Sequence, residues 1–456
     1  DSVFYGNRAI NSFGGAISND SFSLTTTIQT SAFQNNSADV SGGAISTGGG
    51  TLIVNTSEFN ANNVSGINVD NKGQGGAIAI GGEGIATIIS NTFDQNKAYA
   101  GNSSSGTARG GAIHLSSTKN IQITSNTFSG NEAKADAPIA NPNGLGGAIY
   151  VKDIGTKTIR YNTFINNKAL ATTTAQGGAI YNESIASQTL NLQGNIISSN
   201  QSLPSDGKEF YRSSTTVGSF NKSYNFLGDS SDSSGIATAF VNYGSTSLND
   251  INATSDGQNI PLTSILNTTL NYNGGPTRTH ALVVNSPAID TIPGGATSPP
   301  CSSTSTKTQD QRGFYRANGN ANDVTNTPYT GYPIGNTTPP QSGYGNINCD
   351  MGAYEFAAKP TKKGDITYTS SRISGPTIIG TGPRYSIEYR IRSTNVSSGS
   401  LRNVVYKLNT VCFLNKSTNP YTCLSGTDGF LVDDGGTSHG PGWAVSIPDS
   451  TFTGNT

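Results

Sequence analysis

Apolar positions in the first half of the chain fall into columns. Phe33, Phe59, Phe93, Phe128 and Phe164 recur at intervals of roughly 30 residues, and three residues after each stand Asn36, Asn62, Asn96, Asn131 and Asn167. Phe4 with Asn7 opens the series, and Ile197 with Asn200 closes it. Between copies stands Gly-Gly-Ala-Ile, at residues 14–17, 42–45, 75–78, 110–113, 146–149 and 177–180. A fixed period of this length marks a repeat architecture, whose units bury their apolar faces only against one another.

The pattern inside each repeat is that of strands. Ile28, Val54, Ile88, Ile123, Ile159 and Leu192 lie five residues ahead of the Phe column, and Leu52, Ala86, Ile121 and Leu190 two residues earlier still. Alternation of period two puts both columns on one face. Ile17, Ile45, Ile78, Ile113, Ile149 and Ile180 form a further inward row, continued by Ile80, Leu115 and Val151. Three inward rows predict three strands per turn, about seven turns, and a triangular parallel β-helix with strands ~4.8 Å apart along a rod of roughly 34 Å. The Phe-to-glycine gap varies most, at residues 102–108 and 136–145, so loops are expected to protrude from one edge. The Asn column suits left-handed corners and amide stacking along the axis, with a polar binding strip as the alternative. The glycine pairs suit tight corners, since no helix follows them to cradle a phosphate.

After residue 228 the repeat fades, and residues up to 284 are expected to cover the open end of the rod. Asn273-Gly-Gly-Pro-Thr-Arg-Thr-His-Ala-Leu282, Asn285-Ser-Pro-Ala-Ile-Asp290, Asp310-Gln-Arg-Gly313 and Cys349-Asp-Met-Gly-Ala-Tyr-Glu355 follow in order. These segments resemble the choice-of-anchor Q module of secreted, surface-anchored bacterial proteins. The upstream Gly-Gly-Ala-Ile and Phe-x-x-Asn units resemble polymorphic outer-membrane proteins and related autotransporter passengers. The resemblance implies a right-handed β-helix (1–228) and a cap region (229–356), and secretion to the cell surface. Asp290, Asp310, Arg312, Asp350 and Glu355 suit a semi-buried ion-pair network in which the fork of Arg312 holds two carboxylates, with a calcium site as the alternative. Residues 357–364 read as a linker. Alternation at 366–369, 385–392 and 404–408 predicts an antiparallel sandwich over 365–456, similar to immunoglobulin-like repeats of surface proteins.

Composition narrows the setting. Charged residues are 12% and the net charge is −1, so neither nucleic acid nor a membrane surface is favoured electrostatically. No apolar run approaches the ~18 residues of a membrane-spanning helix. The chain opens at Asp1 inside a repeat, as a processed product or a piece of something longer would. Four cysteines allow three pairings, and their nested positions favour Cys301–Cys349 and Cys412–Cys423 over zinc, hence an oxidising compartment.

Catalysis has little to stand on. Glu58, Glu83, Asp94, Glu132, Asp153 and Glu183 occupy different repeat positions, and His114, His280 and His439 are isolated. No cofactor is implied. The residues after Gly-Gly-Ala-Ile point outward, and His114, Tyr150 and Tyr181 form a strip that could stack on sugar rings or simply pack across strands. The ends of the chain match: Asp1-Ser-Val-Phe-Tyr-Gly-Asn7 against Asp449-Ser-Thr-Phe-Thr-Gly-Asn455. This predicts that Phe452 and Asn455 stack on Phe4 of another copy, making an extracellular head-to-tail homopolymer. A monomeric adhesin for polysaccharide is the alternative.

Overall fold

The structure is a computed structural model. It describes residues 2–356 apart from 67–71, 102–105, 137–141, 205–206, 248 and most of 294–347, and beyond them the backbone of six strands between 368 and 432. Residues 1–356 form one compact unit and 357–456 another.

The first unit is a parallel β-solenoid of about seven turns, and among its described residues helix is confined to Ile236–Ala239 and Leu262–Ser264. The Phe row runs from Val3–Tyr5 through Ala32–Gln34 and Glu58–Asn60 to Ile251–Asn252, nine strands in all. Phe4 pairs with Phe33, Phe33 with Phe59, and so on in unbroken register. Their rings stack face to face with centroids 4.5–4.9 Å apart. The strand spacing itself sets that distance. The row before Phe begins at Thr25–Gln29 and the row after Gly-Gly-Ala at Ile17–Asn19. Their inward isoleucines, valines and leucines close one continuous core with the Phe stack.

A turn carries more than the three strands expected. A row follows each Asn, as at Lys97–Ala100, and another precedes four of the six glycine pairs, as at Thr107–Arg109. Their shared cluster is one of small side chains, Ala98, Ala100, Ala108, Ala133 and Ala135, a thin fin beside the main core. Short alternations of alanine with polar residues carry too little hydrophobicity to stand out as strands in a sequence, but burial between neighbours suffices to order them.

Two further differences concern the end of the rod. The solenoid continues past residue 228, since Phe240–Val241 and Ile251–Asn252 still add parallel strands to it. Residues 229–260 close this end, where Tyr243 meets Phe210, Phe220 and Phe240 edge-on. The described residues between 262 and 356, by contrast, lie on the side of the rod. They turn back along the outer side of the Phe row, burying Leu266, Leu282, Ile292 and Met351 against Tyr161, Ile165, Ile196 and Phe226. Thr127, Thr163 and Ser129 on that side bond Gln311, Ala353 and His280. Cys301 and Cys349 are disulfide-bonded within this segment.

One inward position breaks the apolar rule. Lys157 is fully buried between Ile121 and Leu190, and its ammonium donates to the carbonyls of Lys119 (2.8 Å) and Ile154 (2.6 Å). The long stem fills the core while the charge reaches the rim.

In the second unit the described strands pair antiparallel: Tyr368–Arg372 with Tyr389–Ser393, Thr377–Ile378 with Tyr385–Ser386, and Val405–Asn415 with Thr422–Val432. The side chains of Cys412 and Cys423, the 357–364 segment, and Phe452 and Asn455 lie outside the described residues.

Candidate functional site

The two ends of the solenoid differ chemically, and the asparagines set the difference. Each ladder amide donates Nδ2–H to the Oδ1 of the next turn and to the Phe-row carbonyl of the turn before. Asn62, for example, donates to Asn96 (2.9 Å) and to the carbonyl of Phe33 (2.9 Å), while its Oδ1 accepts from Asn36 (2.9 Å). The same bonds link Asn7, Asn36, Asn62, Asn96, Asn131, Asn167 and Asn200 in order. Along the amide-to-amide file the donor therefore always points toward the C-terminal end. The left-handed residues are not these asparagines but their predecessors, among them Asn35, Ala61, Gln95, Asn166 and Ser199. The corner bends just before each amide and turns it inward, where a buried polar group must find partners.

A second ladder on the other side of the Phe row escaped the sequence reading. Ser31, Ser57, Asn91, Asn126, Asn162, Asn195 and Asn225 accept in turn from the backbone N–H of the residue before them in the file. Its signal was available, two residues ahead of each Phe, but the mixture of serine and asparagine masked it.

A ladder of donors must end on acceptors. Asn200 gives its backbone N–H to Glu209 Oε1 (3.0 Å) and its amide to Oε2 (2.5 Å). Asn225 gives its backbone N–H to Asp250 (2.8 Å) and its amide to the Tyr243 hydroxyl (3.1 Å). Glu209 is fully buried, and burial together with Asp232 pushes its pKa well above the usual carboxylate range. Carboxylate oxygens of Glu209, Asp229 and Asp232 lie within 4.8 Å of one another. These three could hold a cation by count, but each already accepts hydrogen bonds within the protein.

The N-terminal end is the reverse. Asn7 donates to Asn36 but its own Oδ1 receives no donor among the described residues. Val3–Tyr5, Arg8–Ala9, Ile17–Asn19 and Thr25–Gln29 are the outer strands of their sheets. Val3, Tyr5, Ile10, Phe13, Phe22 and Leu24 are exposed there.

The strip expected to face solvent does not. His114, Tyr150 and Tyr181 stack with Tyr211 at 5.1–5.4 Å between rings, yet His114 and Tyr150 are buried and Tyr181 nearly so. The fin folds over them: Leu145 packs on the stack and the Arg109 guanidinium lies 5.4 Å from the Tyr150 ring. The Tyr150 hydroxyl donates to Glu183, which Lys152 also holds at 2.9 Å. Burial lowers the His114 pKa to about 3. This stack is interior packing, closed to a sugar ring.

The expected ion network is divided between two arginines. Arg312 pairs with Asp310 at 2.7 Å, lies 3.7 Å from the Tyr354 ring, and donates to the carbonyl oxygen of Glu355. The Glu355 carboxylate instead meets Arg316 at 3.1 Å. Arg316, which the sequence reading passed over, is fully buried and stacks 4.1 Å from Tyr161 on the rod. Asp350 accepts from the backbone of Asp290 (2.7 Å) and of Phe356. Two guanidiniums among these acids make the cluster a structural clasp and leave it poorly suited to calcium. Glu58 and Asp94, from adjacent turns, converge on Arg278 at 3.3 and 3.1 Å, a further clasp.

No helix among the described residues is long and apolar enough to cross a membrane. The family model of the Chlamydia polymorphic membrane protein (Chlamydia_PMP) repeat matches residues 30–48, 127–152 and 163–183. Each matched stretch runs from a Phe-x-x-Asn strand to the following Gly-Gly-Ala-Ile corner. No curated protein and no solved structure matches the chain. The chain is thus a parallel β-solenoid that carries repeats similar to the Chlamydia polymorphic membrane protein repeat.

Proposed function

We propose that this is a non-catalytic, extracellular surface protein whose rod is extended by a second copy of the same chain at its open end. The observation that carries this is internal to the sequence: residues 449–455 repeat residues 1–7 at five of seven positions, including Phe and Asn, so a second copy of the strand motif from which the rod is stacked lies outside the rod. Contacts that run head to tail without closing produce filaments.

Family resemblance supports a surface or outer-membrane association, and the disulfide fits an oxidising compartment. The immunoglobulin-like character of 365–456 belongs to the same proposal, the second unit acting as a tether for the joining strand. The polysaccharide alternative has lost its candidate contact strip to the interior. Negative-stain microscopy of the purified chain, beside a variant lacking residues 446–456, tests the assembly. Fibres from the parent and none from the truncation are expected; fibres from both would sink it.

A further inference from the structure

A groove follows one corner of the rod. The strands of the row before Phe run into left-handed residues, Thr30, Thr56, Ser90, Ser125 and Tyr161, one per turn. Just ahead of these corners Asn55, Ile89, Thr124 and Arg160 are paired in register, with side chains opposite in direction to the inward Val54, Ile88, Ile123 and Ile159. Across a cavity of about 710 Å³ stand Pro276, Thr308, Gln309, Arg312 and Gly313. That volume falls within the range of small-ligand sites, about 300–1,000 Å³.

Two adjacent side chains lining this groove have polar groups that the fold leaves unmatched. Thr124 Oγ1 is buried with no hydrogen-bond partner. Arg160, its neighbour in the next turn, is half-buried, and its guanidinium has neither an ion pair nor a hydrogen bond among the described residues. Burial lowers the Arg160 pKa, and no carboxylate opposes that effect. Arg312 on the facing wall is neutralised by Asp310 at 2.7 Å, so Arg160 leaves the groove with an uncompensated positive charge. A buried hydroxyl and a cation, both without partners and both facing one cavity, are accounted for by a ligand that matches them.

We propose that this groove binds an acidic oligosaccharide, with a carboxylate of the sugar on Arg160 and sugar hydroxyls on Thr124 and the corner hydroxyls. The guanidinium fork matches a carboxylate bidentately. Thr30, Thr56 and Ser90 present further hydroxyls at the ~4.8 Å spacing of stacked strands, which suits a ligand that repeats hydroxyl groups along its length. An extended peptide fits less well. The backbone N–H of Thr30, Thr56, Ser90, Ser125 and Tyr161 already donates to a carbonyl of the next turn, so the corner offers no free strand edge to pair with. The groove lies on the side of the rod, apart from the closed His114 stack, and its ligand is independent of how the chain assembles.

Calorimetric titration of the full chain with oligogalacturonate, oligoguluronate and hyaluronan fragments, beside uncharged cello-oligosaccharide and an oligoglutamate peptide, tests this. At least one uronate series is expected to bind, and Arg160→Gln to weaken that binding about ten- to a hundredfold. Thr124→Val removes only the unmatched hydroxyl; it is expected to weaken the same binding about three- to tenfold without lowering the melting temperature. A hydroxyl with a purely structural role would leave the affinity unchanged. Failure of every uronate probe to bind, equal binding of cello-oligosaccharide, or undiminished binding in both variants overturns the proposal. Tighter binding of oligoglutamate than of any uronate makes the groove a peptide site and overturns it equally. Circular dichroism reports whether each variant keeps the folded rod.

Discussion

Asn200 ends a seven-residue amide file on the buried carboxylate of Glu209, placing both its backbone N–H and its side-chain amide on one acceptor pair. A carboxyl group in this place takes both donors; an alanine takes none. Glu209→Ala is expected to cost about 3 kcal/mol, from two buried donors left unpaired, and Glu209→Gln about 1, since its carbonyl still accepts one. Urea denaturation of both variants measures the difference, and equal losses would show that the terminator role is misassigned.

The Phe file predicts a strong dependence on position. Phe93 is sandwiched between Phe59 and Phe128, whereas Phe4 has one ring neighbour. Phe93→Ala should destabilise by about 3–5 kcal/mol and Phe4→Ala by about 1. Thermal unfolding of the two variants gives the comparison.

The glycine pairs divide their work, and Gly110-Gly111 shows how. Gly110 adopts φ +66°, a left-handed corner. At Gly111 a Cβ would lie 2.0 Å from the carbonyl oxygen of Gly147 in the next turn, a backbone atom that cannot yield. Gly111→Ala is expected to cost more than about 4 kcal/mol, at the exceptional end for a single substitution. Gly130→Ala, left-handed at +65° but spacious, should cost about 1–2. Comparable losses at the two sites, measured in the same denaturant series, would refute the distinction.

Lys157 predicts a pH dependence. Burial lowers its pKa to about 8 from an ordinary 10.5. Between those values the unfolded chain holds the proton and the folded chain has released it, so stability rises with pH across this window. Melting temperatures of the parent and of Lys157→Leu between pH 7 and 10.5 should converge as pH rises, with the variant the more stable at neutral pH. A constant difference would mean that the lysine stays charged in the folded rod.

Much of this architecture was legible in the chain. Phe33 through Phe164 announce a period, and parallel stacking follows because equivalent side chains can bury only on one another. The Asn column likewise follows from spacing alone. The fin was not legible, because Ala98, Ala108 and Ala133 carry no hydrophobic contrast until a neighbour covers them. Nor was the fate of the aromatic strip, since a residue pointing away from one core can point into another: Tyr150 leaves the triangle and packs with Leu145, and His114 stacks on its ring.

Periodicity by itself thus determined the rod, its register and the identity of its repeating corners, because those depend on residues one turn apart. The tertiary structure alone decided which surfaces of the rod are free. The described residues between 262 and 356 pack along the Phe row, Arg316 holds the Glu355 carboxylate, and Glu209 terminates the Asn ladder. Each of these joins residues whose separation in sequence obeys no period, and such contacts depend on where the chain turns back in space.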